Sequence, residues 1–138
     1  MYAACSAKDE GVMEMDKHHE DSYAWPWPDS LDALIAAPNY HRLLIENERV
    51  RVLEVRIPSG ETVPVHTHRW PSTVYVAASS DFIRRDGSGN VLFDSRTMGA
   101  PPTAPIAQWV DSLPPHSVEN IGDSKILLIT TELKEPRR

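Results

Sequence analysis

From His41 onward the chain is written in short β-branched runs, "HRLLIEN", "RVRVLEVRI", "TVPVHTH", "TVYVAAS", "DFIRRD", "NVLFDS", "AQWVDSL", "HSVENI" and "KILLITTEL", each closed by turn residues. Runs this short and this closely spaced leave no room for long helices and predict an all-β sandwich or barrel with antiparallel pairing. Hairpin turns are expected at "IENERV" and "RDGSGNV", the second resting on Gly87 and Gly89, which accept positive φ. In "RVRVLEVRI", Val50 and Val52 share one face while Leu53, Val55 and Ile57 share the other. A bulge between residues 52 and 53 would reconcile them, which leaves the direction of Arg49 and Arg51 open. "MGAPPTAPIA", residues 98 to 107, contains Pro101, Pro102 and Pro105, so it is expected to cross between sheets as a loop.

Ahead of the strands, "YAWPWPDSLDALIAAPNY" reads as an extended arm followed by a short helix. Asp29 or Ser30 is the expected cap, Leu31, Leu34 and Ile35 supply the apolar positions, and the helix stops before Pro38. Trp25 and Trp27 in the arm are expected to dock, on this barrel or on a neighbouring subunit. Residues 1 to 22 mix charged and small residues without period and read as a flexible leader. Residues 23 to 138 then form a single barrel domain, and a chain of 138 residues suits one compact core.

The formal charge of -6 comes with no basic stripe, which argues against nucleic acid and an anionic membrane surface as partners and leaves small molecules or other proteins. No apolar run approaches the ~20 residues of a spanning helix, and the N-terminal segment lacks the apolar stretch of a signal peptide, so a cytoplasmic protein is expected. Cys5 is the only cysteine, which rules out an intramolecular disulfide.

The chemistry concentrates in "VPVHTHRWPST", residues 63 to 73. Strand side chains alternate, so His66 and His68 project to the same side and can bring two imidazole nitrogens to one ion. A lone H-x-H also describes ordinary half-exposed strand residues, so further ligands are required. Five residues separate Gly60 from His66, and far downstream "PPHSVENIGD" offers His116 with Asn120 after it. Taken together, Gly60-x5-His66-x-His68 and His116-x3-Asn120 resemble the two signature motifs of the cupin superfamily, the small β-barrels of germins, oxygenases and sugar isomerases.

The resemblance spans roughly residues 41 to 134 and implies a double-stranded β-helix, the jelly-roll barrel, behind the short helix and arm. It implies His66, His68 and His116 as ligands of one divalent transition metal ion per chain. Departures from the pattern are specific. The glutamate of the first motif is replaced by Ser72, with Thr73 as the alternative, and its glycine by Ser79 or Ser80; the proline and glycine of the second motif fall at Asp111 and Leu113. A hydroxyl is a poor ligand for a transition ion, so Ser72 is expected at most to hold water or support a ligand. Three neutral imidazoles leave the full charge of the ion in place, which favours an anionic or chelating ligand.

Three-histidine sites in this superfamily resemble those of thiol and diketone-cleaving dioxygenases. The resemblance therefore implies a small non-haem iron oxygenase, with Fe(II) favoured and Zn, Ni, Cu or Mn also compatible with imidazole. A metal-dependent isomerase or lyase and a non-catalytic metal- or small-ligand-binding cupin are the alternatives. On the barrel wall, Tyr75 is the candidate catalytic donor, and Trp109 and Arg51 are the candidate substrate contacts. Aromatic residues at such positions equally serve as wall, and arginines as solvated groups. Asn120 is expected to support the loop after the third histidine, while His41 has no evident partner. Small cupins pair through their N-terminal strands, so a C2 homodimer is expected.

Overall fold

The computed structural model describes residues 24–135, so the expected leader and Cys5 lie outside the described residues. One 3-10 turn, Asp29–Leu31, leads into a single-turn helix α1, Ala33–Ala36, which ends before Pro38. Its cap is Asp32, whose carboxylate accepts the Leu34 amide at 3.0 Å, not Asp29 or Ser30. No helix among the described residues is long and apolar enough to cross a membrane.

Nine strands follow: β1 His41–Glu46, β2 Val50–Ile57, β3 Thr62–His68, β4 Ser72–Ala78, β5 Phe82–Asp86, β6 Val91–Asp94, β7 Ile106–Val110, β8 Leu113–Asn120 and β9 Ile126–Leu133. They form two antiparallel sheets, a five-stranded one in the order β1-β2-β9-β4-β7 and a four-stranded one in the order β3-β8-β5-β6. The sheets face each other as the jelly-roll barrel expected of the sequence. Both hairpins form where expected. Asn47 Oδ1 accepts the amides of Arg49 and Val50 in the first, and Asp86 Oδ1 those of Ser88 and Asn90 in the second. Only Gly89 of the second turn needs a positive φ, at 94°.

The bulge expected in β2 is absent. Its register with β9 runs unbroken from Val50 opposite Leu133 to Ile57 opposite Ile126. Simple alternation buries Arg51, Leu53, Val55 and Ile57 and turns Val50 and Val52 outward. The irregularity sits on the partner strand instead, between Leu43 and Ile45 of β1. Sequence pattern alone hides this because Arg51 faces the interior, a position a charge accepts only when its partners are built in.

Ile57 and Ile126 meet at one end of the five-stranded sheet, and with Ala37, Val55 and Val63 they form the buried apolar cluster against which Phe82, Val118 and Leu128 pack. Each of the buried valine and isoleucine side chains contributes about 1.5–3 kcal/mol. Asn120, wholly buried beside it, ties the sheets: Nδ2 donates to Ile57 O and Ser124 O, each at 2.9 Å, and Oδ1 accepts the Gly122 amide at 3.0 Å. Arg51, Glu132 and Ser72 share the opposite end of the same sheet through consecutive registers, and Glu132 reaches His68 there.

Candidate metal centre

Proline placement shapes the histidine strands. Along the β3–β8 ladder His66 stands opposite His116, and the register shifts on both sides of that pair. On one side Pro64 and Val65 face Ser117 alone; on the other Pro114 and Pro115 face Thr67 alone. Prolines lack the amide a ladder needs, so each strand carries a two-against-one bulge immediately before its histidine, a device that re-aims side chains. The extra length explains why β8 begins at Leu113, earlier than the run "HSVENI" indicates.

The rings of His66, His68 and His116 lie side by side, with centroids 5.0 Å apart for His66 and His68, 4.3 Å for His66 and His116, and 5.8 Å for His68 and His116. A fourth ring joins them. His41, the first residue of β1, is buried with its ring 4.9 Å from that of His66 and 5.3 Å from that of His68. One ligand nitrogen from each of His41, His66 and His68 lies within 4.8 Å of the others, a spacing that one ion can draw together. His41 pairs in register with inward-facing Val55, which is what turns it to the interior.

Every one of the four rings has its Nδ1 held. His66 Nδ1 donates to Pro64 O at 2.8 Å, His116 Nδ1 to Pro114 O at 2.7 Å, His41 Nδ1 to Ala37 O at 2.9 Å and His68 Nδ1 to Glu132 Oε2 at 2.8 Å. With the proton on Nδ1, each Nε2 keeps its lone pair, which is the tautomer a metal ion requires. Burial keeps three of these rings, those of His41, His66 and His116, neutral. It pushes His66 down to about 2, His116 to about 3 and His41 to about 4, with repulsion among the clustered imidazoles adding to the effect. Oriented, nitrogen-only donors such as the grouped nitrogens of His41, His66 and His68 fit a divalent transition ion and disfavour the hard cations magnesium and calcium.

Behind His68 runs a chain of charged groups. Glu132, with no solvent exposure, accepts His68 on Oε2 and Arg51 Nε on Oε1, the latter at 2.8 Å. The Arg51 guanidinium then grips Asp32 with both terminal nitrogens, at 3.0 and 2.9 Å, and also lies over the Trp70 ring, 5.3 Å from its centroid. Asp32 caps α1, and the carbonyl of Ala37 at the end of that helix receives His41. One connected path thus fixes two of the four rings.

A cavity of about 150 Å³ opens beside the imidazoles, walled by Val55, Val74, Val76, Val110, Ile126 and Leu128. Ser72 lines it and is buried, on the face where the motif glutamate would stand. Three expected wall residues are placed elsewhere. Tyr75, three positions after inward-facing Ser72, falls on the outer face and is 48% exposed; Trp109 is likewise outside, 56% exposed, with Nε1 donating to Asp111 at 2.9 Å. Strand alternation forces both outward once Ser72, Gln108 and Val110 line the interior. Arg51 does face inward, but its guanidinium is consumed by Glu132 and Asp32 and does not reach the cavity wall.

No protein-family model and no curated protein sequence matches the chain. Solved structures do. A cupin domain from Bordetella pertussis Tohama I superposes with a TM-score of 0.57 at 22% identity, over 69% of this chain and 92% of that one. An RmlC-like cupin family protein with a double-stranded β-helix fold, from Methanocaldococcus jannaschii, gives 0.49 at 12% identity over 67% and 77%. The polyketide cyclase RemF from Streptomyces resistomycificus gives 0.46 at 17% identity over 69% and 64%. The Bordetella domain carries the assignment, and at its level of identity the likeness is one of fold.

Proposed function

We propose that this cupin-fold chain is a metal-binding protein that holds one divalent transition ion on His66, His68 and His116 with His41, and that with Fe(II) it is a small non-haem oxygenase. The observation that carries the reading is the shared anchoring of the four rings, each held through Nδ1 so that Nε2 is the nitrogen left for an ion. Bound there, the ion supplies Lewis acidity and, as iron, redox chemistry towards dioxygen. The chain's own residues do the rest. Glu132 orients His68, the prolyl carbonyls fix His66 and His116, and the valine and leucine wall excludes water from whatever enters the cavity.

An isomerase or lyase needs a group in the cavity to move a proton. Beyond the imidazoles, the polar residues lining it are Ser72, Ser79, Ser80, Arg84, Gln108 and Thr130, with neither tyrosine nor carboxylate among them, which favours the oxygenase. Oxygen uptake by iron-loaded protein tests this reading against thiols, diketones and hydroxy acids. Uptake with one class is the expected result, and silence across all three contradicts it in favour of a binding protein. A homodimer belongs to the same proposal. Ile45, Tyr75, Trp109 and Leu133 leave a broad apolar outer face on the five-stranded sheet, and light scattering tests whether a second copy covers it.

A further inference from the structure

The interior of the four-stranded sheet holds a cation that the metal centre does not use. Arg84 on β5 stands opposite Val118 of β8, two residues from His116, and its side chain lines the cavity. Its Nε is buried with no hydrogen-bond partner, and among the described residues no carboxylate pairs with it. The ring of Phe82 lies 5.9 Å from the guanidinium carbon and offers a weak cation-π contact. Burial without a counter-charge lowers the affinity of this guanidinium for its proton, yet a guanidinium stays charged under all ordinary conditions. The contrast with Arg51 is sharp, since that buried arginine is matched by two carboxylates.

A second polar atom in the same cavity is equally unsatisfied. Thr130 Oγ1, contributed by β9 of the opposing sheet, is buried without a partner. Buried donors left unpaired each cost on the order of 1–3 kcal/mol, more when charged, and native structures keep them where a ligand supplies the missing acceptor. The remaining wall is predominantly aliphatic.

We propose that Arg84 is the anion-recognition residue of the cavity, and that the ligand is a small organic carboxylate with a short apolar body, its carboxylate on Arg84 and its other end towards the imidazoles. A planar carboxylate matches the fork of Nε and a terminal nitrogen in a two-point contact. The cavity of about 150 Å³ equals roughly five water volumes, which sets the ligand at roughly five to eight non-hydrogen atoms. The inference rests on the metal-centred reading for the role of that other end. The carboxylate site itself stands on Arg84.

Calorimetric titration of the full-length protein as purified tests it, using butanoate and 3-methylbutanoate against their neutral amides, with metal content measured in parallel. Wild-type protein is expected to bind the acids and not the amides, and Arg84→Gln to weaken acid binding at least tenfold with metal content unchanged. Arg84→Lys, which keeps the charge and loses the fork, is expected to fall between them and serves if the glutamine variant does not fold. Equal binding of acid and amide, no binding of either, or equal affinity in Arg84→Gln and Arg84→Lys to wild type overturns the proposal while leaving the metal centre intact. Acid binding that depends on Arg84 in protein that holds no metal supports it and refutes the metal-centred reading instead.

Discussion

Glu132, wholly excluded from solvent, holds the ring of His68 through a 2.8 Å hydrogen bond from Nδ1 to Oε2. Its other oxygen is bound by Arg51, so a single carboxylate is answerable both to the candidate metal centre and to a buried cation. Glu132→Gln keeps the shape and removes the charge. Metal affinity is expected to fall by about 10- to 100-fold, the usual effect of losing a carboxylate behind a ligand histidine. Stability is expected to fall by on the order of 3 kcal/mol as Arg51 loses part of its compensation. Competitive metal titration and urea unfolding read the two effects separately.

His41 makes a different prediction because it comes from the five-stranded sheet while the other three imidazoles come from the four-stranded one. His41→Ala removes one nitrogen donor without touching the bulges that aim His66 and His116. The variant is expected to retain the fold and to bind Co(II) with a visible spectrum altered from that of the wild type, at an affinity reduced at least tenfold. An unchanged spectrum and affinity would mean that His41 is a wall residue.

Acid sensitivity follows from the same burial. In the folded chain His41, His66 and His116 titrate near 4, 2 and 3, against an ordinary value of 6.5 for an exposed ring. Above 6.5 both states carry neutral rings and the contribution to stability is complete. Below it the unfolded chain takes up protons that the folded chain refuses, so stability declines as pH falls towards the folded values. Each histidine contributes a slope of up to about 1.4 kcal/mol per pH unit in that window. Urea midpoints of metal-free protein are therefore expected to be flat in pH above about 7 and to drop steeply from pH 6 to pH 4; a midpoint insensitive to pH across that lower range would contradict the burial of these rings.

The strands, their antiparallel pairing and the pairing of His66 with His68 are local properties, and the two-residue period displays them directly. His116 required a motif as a guide because it lies 48 residues beyond His68 and meets it only when the barrel closes. His41 carries no such motif. Its inward direction depends on its register with Val55, a relation between strands that no single run contains. Parity alone was enough to place Tyr75, since a residue three positions from inward-facing Ser72 must point outward. The same reasoning marks Glu132, which alternates with Ile126, Leu128 and Thr130 on the inner face of β9; a carboxylate there has to be paired, and its partners Arg51 and His68 lie on other strands. The prolines at 64, 114 and 115 argue against regular strands in the sequence, and in the fold they become the bulges that position the ligands.

Metal content per chain, determined on protein purified with neither added metal nor chelator, tests the central claim most directly when His66→Ala is prepared alongside. One equivalent of a transition metal in the wild type, and a large loss in the variant with strand content retained, is the predicted result. Wild-type protein that is folded yet takes up no transition metal, either as purified or after incubation with Fe(II), Zn(II) or Ni(II), would contradict it.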